Sequence, residues 1–458
     1  METTSEVVGS KERRLPNLRF ETQQLTMFSG LVVVQMLIDR LGLAAHLQRI
    51  FRSRERGSYR FWKLFLLLIV YRLLGFRRLR DAQSHRKDPL IKQVVGLRRL
   101  PDVSTLSRRL RGVDEQSVGK ANAGNRDLVL GGLEEHGLNR ITLDFDGSVI
   151  STRRHAEGSA VGFNRKRKGE RSYYPLLCTV AQSGQAFDFL HRPGNVHDSH
   201  EADRFMRECM GAFQERFPKA VIEARADSAF FSEQLVDVFE ENETEFSISV
   251  PFERFVKLKE LIQASNCWRR MGEKSDACEL DWKPDCWKRK KVRLIGVRTL
   301  EAKQRKGPLQ LDLFEPIDFQ YSYQVIATNK ETGHGSTTAF HHGRGSQEGI
   351  IGELKSMMNM DYIPSRQKRA NEIFMLAAVY AHNLLRTMQM TGVPPIRTRA
   401  WKRPACWAFE KAQTIRSLIL LRAGRLSKPG NRKTLTVSGD HVVAQKFTGK
   451  IEQMRIAA

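Results

Sequence analysis

Cysteine is scarce in this chain: six in 458 residues, at positions 178, 209, 267, 278, 286 and 406. They form no CxxC pair and no mixed His/Cys spacing, which argues against a zinc module and leaves a cytoplasmic chain with reduced thiols as the expectation. Long apolar runs are missing as well. The longest, "LFLLLIVY" at 64–71, lies between Lys63 and Arg72 and is too short to span a bilayer, so it is read as a buried helix and no membrane partner is expected. The opening "METTSEVVGSKERRLP" has no apolar segment of the kind a secretory signal requires. Acidic residues are also in deficit, 51 against 76 Lys and Arg, a formal charge of +25. Such an imbalance makes a polyanion the default partner, because each phosphate neutralised by a cationic side chain releases condensed counterions.

The basic residues are spread along the chain in "RRLRD", "RKRKGER", "KRKKVR" and "KPGNRK", which suggests several surfaces meeting one long anion. Periodicity divides the sequence. Residues 1–135 read as a helical, DNA-binding amino-terminal region. Within it, "LPDVSTLSRRLRGVD" predicts a short basic helix capped by Ser104 and carrying Arg108 and Arg109, either a recognition helix or an ordinary surface helix. Residues 136–251 change to period two and give the order strand, strand, strand, helix, strand, helix, strand, an α/β pattern. Residues 252–337, with Trp268, Trp282 and Trp287 among many charges, read as a β-rich insertion. Residues 338–400 resume the helical pattern, with "NEIFMLAAVYAHNLL" apolar nearly all round and hence buried. Residues 401–458 form a basic, largely irregular region in which "TIRSLILLR" predicts a helix and "KTLTVS" a strand.

Three carboxylates occupy informative stations. Asp146 ends the first strand of the α/β region, Asp227 ends the fourth, and Glu348 lies in "HHGRGSQEGIIGELK" after the insertion. At about 100° per residue Arg344, Glu348 and Lys355 fall on one helical stripe, whereas Glu353 points roughly 140° away, as a solvated or structural charge. Carboxyl ends of neighbouring strands are where α/β sheets place their sites. Acids gathered there repel one another unless a hard cation joins them, and magnesium prefers such oxygen donors and shares its shell with phosphate. Alternation alone cannot choose between Asp144 and Asp146, which point to the same face.

The order of elements resembles the RNase H-like fold, and the motifs resemble the DDE transposases of bacterial insertion sequences, DDE-domain group 1 most closely. "DGS" from Asp146, "GFNRKRKGERSYYPLL", "RPGNVH" and "DSAFF" from Asp227 match that group's motifs in order. The signature Y-x2-R-x3-E-x6-K is met by Arg344, Glu348 and Lys355, with His341 at the Tyr position. The resemblance covers residues from about 100 to 440. It implies an RNase H-like mixed sheet flanked by helices and interrupted by the β-rich insertion. It further implies Asp146, Asp227 and Glu348 as the metal-holding catalytic acids, two Mg²⁺ ions for which Mn²⁺ substitutes, and Arg344 and Lys355 on the phosphates flanking the cut. Arg165, Lys166, Arg167 and Lys168 of the basic loop are further DNA-binding candidates. The function implied is transposition: double-stranded DNA, as terminal inverted repeats and target, bound by at least a dimer, cut, and joined by strand transfer. The three tryptophans are candidates for stacking on a flipped base, with core packing the plainer reading. A nuclease that never rejoins and a non-catalytic DNA-binding remnant are the alternative functions.

Overall fold

The computed structural model describes residues 24–52, 59–152, 155–162, 164, 167–287, 290–300, 321–396 and 400–456. Its centre is one mixed sheet. Strands β1 (Arg140–Gly147), β2 (Leu176–Val180), β3 (Gln185–Leu190), β4 (Val221–Ala226) and β5 (Glu245–Val250) lie in the order β3-β2-β1-β4-β5. β1 pairs antiparallel with β2 and parallel with β4, and β4 is parallel to β5. This is the RNase H-like arrangement: a three-strand meander followed by two parallel strands reached through helices. The meander turns at Gly184, whose φ of +59° suits a residue without Cβ.

The insertion does not build a separate sheet. Strands β6 (Arg269–Arg270), β7 (Ser275–Leu280), β8 (Arg293–Leu300) and β9 (Tyr321–Thr328) extend the same one, because β9 pairs antiparallel with β5 and covers its free edge. The strand-like stretches "KKVRLIGVRTL" and "YSYQVIATN" anticipate β8 and β9, and no such stretch marks β6 and β7. All three tryptophans pack internally: Trp287 against Phe231 at 4.5 Å between ring centroids, Trp282 against Phe255 at 5.0 Å, and Trp268 against Tyr323 at 6.0 Å beneath the Arg298 guanidinium.

The amino-terminal region is helical, as expected: α1 (Leu31–Arg40), α2 (Leu43–Ile50), α3 (Phe61–Leu73), α4 (Pro89–Val95), α5 (Val103–Arg111) and α6 (Glu115–Glu134). α4 has a full set of stop and start signals. Asp88 accepts from the Leu90 and Ile91 amides, Pro89 opens the helix, and Gly96 closes it in the left-handed region. The run at 64–71 lies within α3, buried on all sides and packed on α12 (Lys368–Met390), which is itself buried along nearly its whole length. α5 begins at Val103 with Asp102 in the capping position, so Ser104 belongs to its first turn and is not the cap.

Helices α7 (Ala202–Arg216) and α8 (Glu233–Glu241) serve the sheet, and α9 (Val256–Ala264) opens the insertion. α10 (His334–His342) and α11 (Gly345–Ser356) follow β9. The carboxy-terminal segment returns to the molecule's beginning. Its helices are α13 (Ala412–Ile415), continued by a π turn at Arg416–Leu420, and α14 (His441–Ile456). The strand Gly424–Ser427 pairs with Leu25–Thr26 and with Thr434–Val437, so the predicted helix and strand both occur. One apolar cluster joins residues of α1 to α6 with residues of α11 to α14, and a second fills the space around the sheet. No single described helix is long and apolar enough to cross a membrane.

Candidate active site

Strand register brings the first two acids together. In the parallel β1/β4 pair Arg140 stands beside Val221 and Asp144 beside Arg225, so the same offset two residues further places Asp146 beside Asp227 at the carboxyl edge. Neighbouring strands are about 4.8 Å apart. Asp227 also caps the short 3-10 turn Ser228–Phe230 by accepting the Ala229 amide at 2.9 Å.

Register also separates Asp144 from Asp146. Asp144 is fully buried and accepts both forks of the Arg225 guanidinium, at 2.5 and 2.8 Å. That guanidinium further donates to the backbone oxygens of Phe340 and Lys402, tying α10 and the carboxy-terminal segment under the sheet edge. Asp144 is therefore a structural acid. Asp146 keeps partial exposure, and its nearest cation is Arg344, 3.7 Å away. Burial pushes the Asp146 carboxyl up to about 7, against the pull of Arg344 and with the neighbouring charges of Asp227 and Asp198 adding to the rise. Burial raises Asp227 too, with the Ala229 amide and Arg344 opposing and Asp198 reinforcing.

The expected Arg-Glu-Lys stripe has its two ends at this edge. Arg344 faces Asp146, and Lys355 donates to the Ser148 hydroxyl at 3.0 Å and the Val149 carbonyl at 2.7 Å, just past β1. Glu348 lies between them in the first turn of α11 and is exposed. Among the described residues no three His, Cys, Asp or Glu side chains stand close enough to hold one metal ion. Asp146 and Asp227 thus stand as neighbours at the strand edge, and Glu348 lies on the helix face that Arg344 and Lys355 bracket.

Buried polar side chains fix that face. Gln347 donates to the Asp144 carbonyl at 2.7 Å, locking α11 onto β1. His341, 3% exposed, sits between the Ser247 and Ser249 hydroxyls of β5, its Nδ1 and Nε2 at 3.0 and 2.8 Å. Burial pulls its pKa down to about 3, so the ring is neutral. The histidine in place of tyrosine is a pin between α10 and β5. Glu353 is not solvated: it accepts from Arg386 at 2.6 Å and from the Ala412 amide at 2.7 Å, joining α11 to α12 and α13.

Asp227 opens into a cleft of about 1450 Å³. Lys355 and Arg167 line it with Asp227, as do Arg80 of the basic run "RRLRD" and two residues that sequence reasoning did not single out, Tyr174 and Asp198. Arg167 is exposed and lies 3.4 Å from Glu170, and Lys168 is exposed. Arg165 and Lys166 lie outside the described residues. Arg108 is exposed on α5, whereas Arg109 turns inward and donates to the Tyr59 carbonyl at 3.1 Å.

Asp198 follows His197 of the "RPGNVH" motif. Its loop is built rigidly: the buried Arg192 donates to the carbonyls of His197, Asp198 and His200 at 3.4, 2.8 and 2.8 Å. Tyr174 shares a hydrogen bond with Asp198, and burial together with that acid raises its phenol. Both side chains cover Gly147, where an added Cβ would strike the Asp198 carboxylate and the Tyr174 ring. The glycine after Asp146 is required by close approach.

Comparison with known proteins adds the following. A model of the family described as transposase DDE domain group 1 matches residues 9–457. No curated protein matches the sequence. The fold is similar to a piggyBac transposase synaptic complex with hairpin DNA, at 10% identity and a TM-score of 0.40, over 82% of this chain and 78% of that one. A Mos1 transposase paired-end complex with the left transposon end is matched at 12% identity and a TM-score of 0.18, over 37% and 55% of the two chains. A Mos1 mariner paired-end complex with Mn is matched at 12% identity and a TM-score of 0.18, over 36% and 56%. With a family model spanning nearly its whole length, the chain belongs to the transposase DDE domain group 1 and is a DNA transposase.

Proposed function

We propose that this transposase binds the terminal inverted repeats of its element, hydrolyses the phosphodiesters there and joins the freed 3′ hydroxyls to target DNA at one site centred on Asp146 and Asp227. The observation that carries this reading is the juxtaposition of those two carboxylates by strand register, at the sheet's carboxyl edge, beside a cleft that Asp227 lines together with basic side chains.

The donor set fits a divalent cation. Asp146 and Asp227 offer only oxygen, and their burial and mutual repulsion favour either protonation or a bound cation. They are the residues that would hold Mg²⁺ or Mn²⁺, with Glu348, on the helix face between Arg344 and Lys355, as the third donor. When bound, such ions activate an attacking oxygen and stabilise the leaving one. Arg344 orients the scissile phosphate from beside Asp146, and Lys355 holds the loop after β1 and presents its charge to the flanking phosphate, an electrostatic contribution. Tyr174 and the Arg192-braced Asp198 loop keep the wall over Gly147 in place. Pairing two DNA ends calls for at least two copies of the chain on DNA.

The test is nicking of a transposon-end duplex in Mg²⁺ by Asp146→Asn, Asp227→Asn and Glu348→Gln. Each is expected to lose at least ~10²-fold in rate with an unchanged unfolding midpoint or a raised one. Cleavage by Asp146→Asn or Asp227→Asn at near the parent rate would overturn the site, and the same result for Glu348→Gln would remove that residue from it. A precleaved end incubated with plasmid separates transposition from simple cleavage, since strand-transfer products form only in the former.

A further inference from the structure

Arginine in this protein is ordinarily paired. Buried Arg72, Arg192, Arg225 and Arg416 all donate to backbone carbonyls or carboxylates, and Arg77, although exposed, forks onto Asp361 at 2.8 and 2.9 Å. Some arginines of the cleft depart from that habit, Arg78 among them. Arg80, Arg254 and Arg366 are exposed, line the same cleft as Asp227, and their guanidinium groups make no hydrogen bond or ion pair with any described residue.

They come from distant parts of the chain, and their backbones are fastened while their heads stay free. Arg80 lies in the 3-10 helix Leu79–His85, anchored by the Arg77–Asp361 pair beside it. Arg254 ends the turn after β5, its amide donating to the Pro251 carbonyl at 3.0 Å. The Arg366 carbonyl accepts the Glu157 amide at 2.7 Å, just ahead of α12. The carboxylates of Asp198 and Asp227 line the same cleft and would repel a phosphate, so an incoming polyanion needs cations on the rim. Guanidinium suits that need, because its planar fork meets two phosphate oxygens at once and it holds its charge at any working pH.

We propose that Arg80, Arg254 and Arg366 form a phosphate-binding track that holds the DNA backbone across the Asp146/Asp227 edge without reading bases. The track rests on the reading that DNA occupies this cleft, and it gives the amino-terminal region a place at the catalytic edge besides any role in recognising transposon ends. Since the three contacts are to phosphate, they contribute equally to every sequence.

The experiment measures binding of the full-length protein to a random-sequence duplex across a salt series. In the Arg80→Gln, Arg254→Gln, Arg366→Gln triple variant the slope of log K against log salt is expected to fall by about 2 to 3, close to 0.9 per lost phosphate contact. Arg204→Gln, an exposed arginine on α7 that does not line the cleft, keeps the parent slope. The unfolding midpoint of the triple variant stays at the parent value, because no described partner is lost. A parent protein that binds and cuts DNA, with a triple variant of unchanged slope, overturns the track alone. A parent with no salt-dependent binding overturns both the track and the DNA reading.

Discussion

Two acids on one strand, Asp144 and Asp146, share a face and a residue type yet live under opposite electrostatic rules. Asp144 lies one pleat deeper, where the parallel neighbour at its register is Arg225, and a bidentate pair neutralises it. Asp146 lies where the neighbour at the same offset is Asp227, and burial with like charges drives its carboxyl up to about 7. The same contrast recurs across the molecule. Glu223, fully buried, is bonded by Arg140, Lys330, Arg403 and Thr142, and although burial alone would raise it, those partners hold it down to about 2. Structural acids here come with their cations; the two acids at the sheet edge share one arginine, an arrangement that suits a site awaiting external positive charge.

The largest break in that contrast is removal of Arg225. Arg225→Met leaves Asp144 buried and uncompensated and frees the Phe340 and Lys402 carbonyls, so a loss of about 3–5 kcal/mol in urea unfolding is expected. Unchanged stability would show that Asp144 is not held by that pair. Glu353→Gln is next, at about 1–3 kcal/mol, since a charged acceptor of Arg386 becomes a neutral one. Its pH signature is specific. Burial opposes but the groups around Glu353, led by His382 and Arg386, prevail and pull its folded pKa down from 4.5 to about 2. The pair therefore contributes stability above pH 4.5 that is lost as pH falls toward 2, and the variant should lack that part of the acid transition. The smallest effect belongs to His341→Phe, about 1 kcal/mol, from two serine hydroxyls losing their partner. Below pH 6.5 the unfolded chain binds a proton that folded His341 refuses until about pH 3, so the parent loses stability across that window and the variant loses less. Cleavage per folded molecule is expected to stay at the parent level in His341→Phe, which a single-turnover nicking assay checks.

Much of the catalytic unit was legible from local pattern. Period-two runs and capped helices mark all five strands of the central sheet, and the turn-like "QSGQ" falls where Gly184 turns the meander. The three acids could be placed at the ends of their elements because strand ends and helix stripes follow from fixed periods. Other features were not legible because they depend on which segments meet. β6 has two residues and β7 carries Asp276 and Glu279 without a clear alternation, and their place is set by the edge of the sheet they extend. Glu353 looks like a surface charge along its own helix and is half-buried only because α12 and α13 pack against it. Arg109 looks like a DNA-facing residue until Tyr59 offers a carbonyl.

The sequence by itself determined the α/β order, the polyanion-seeking charge and the stations of Asp146, Asp227 and Glu348, since charge, period and motif are local properties. Tertiary structure decided that Asp144 is a strut, that His341 is a pin, and that arginines near positions 80, 254 and 366 converge on one cleft. The physical reason is that an ionisable side chain has no role until its neighbours are known, and here those neighbours arrive from strands 81 residues away for Asp144 and 92 and 94 residues away for His341.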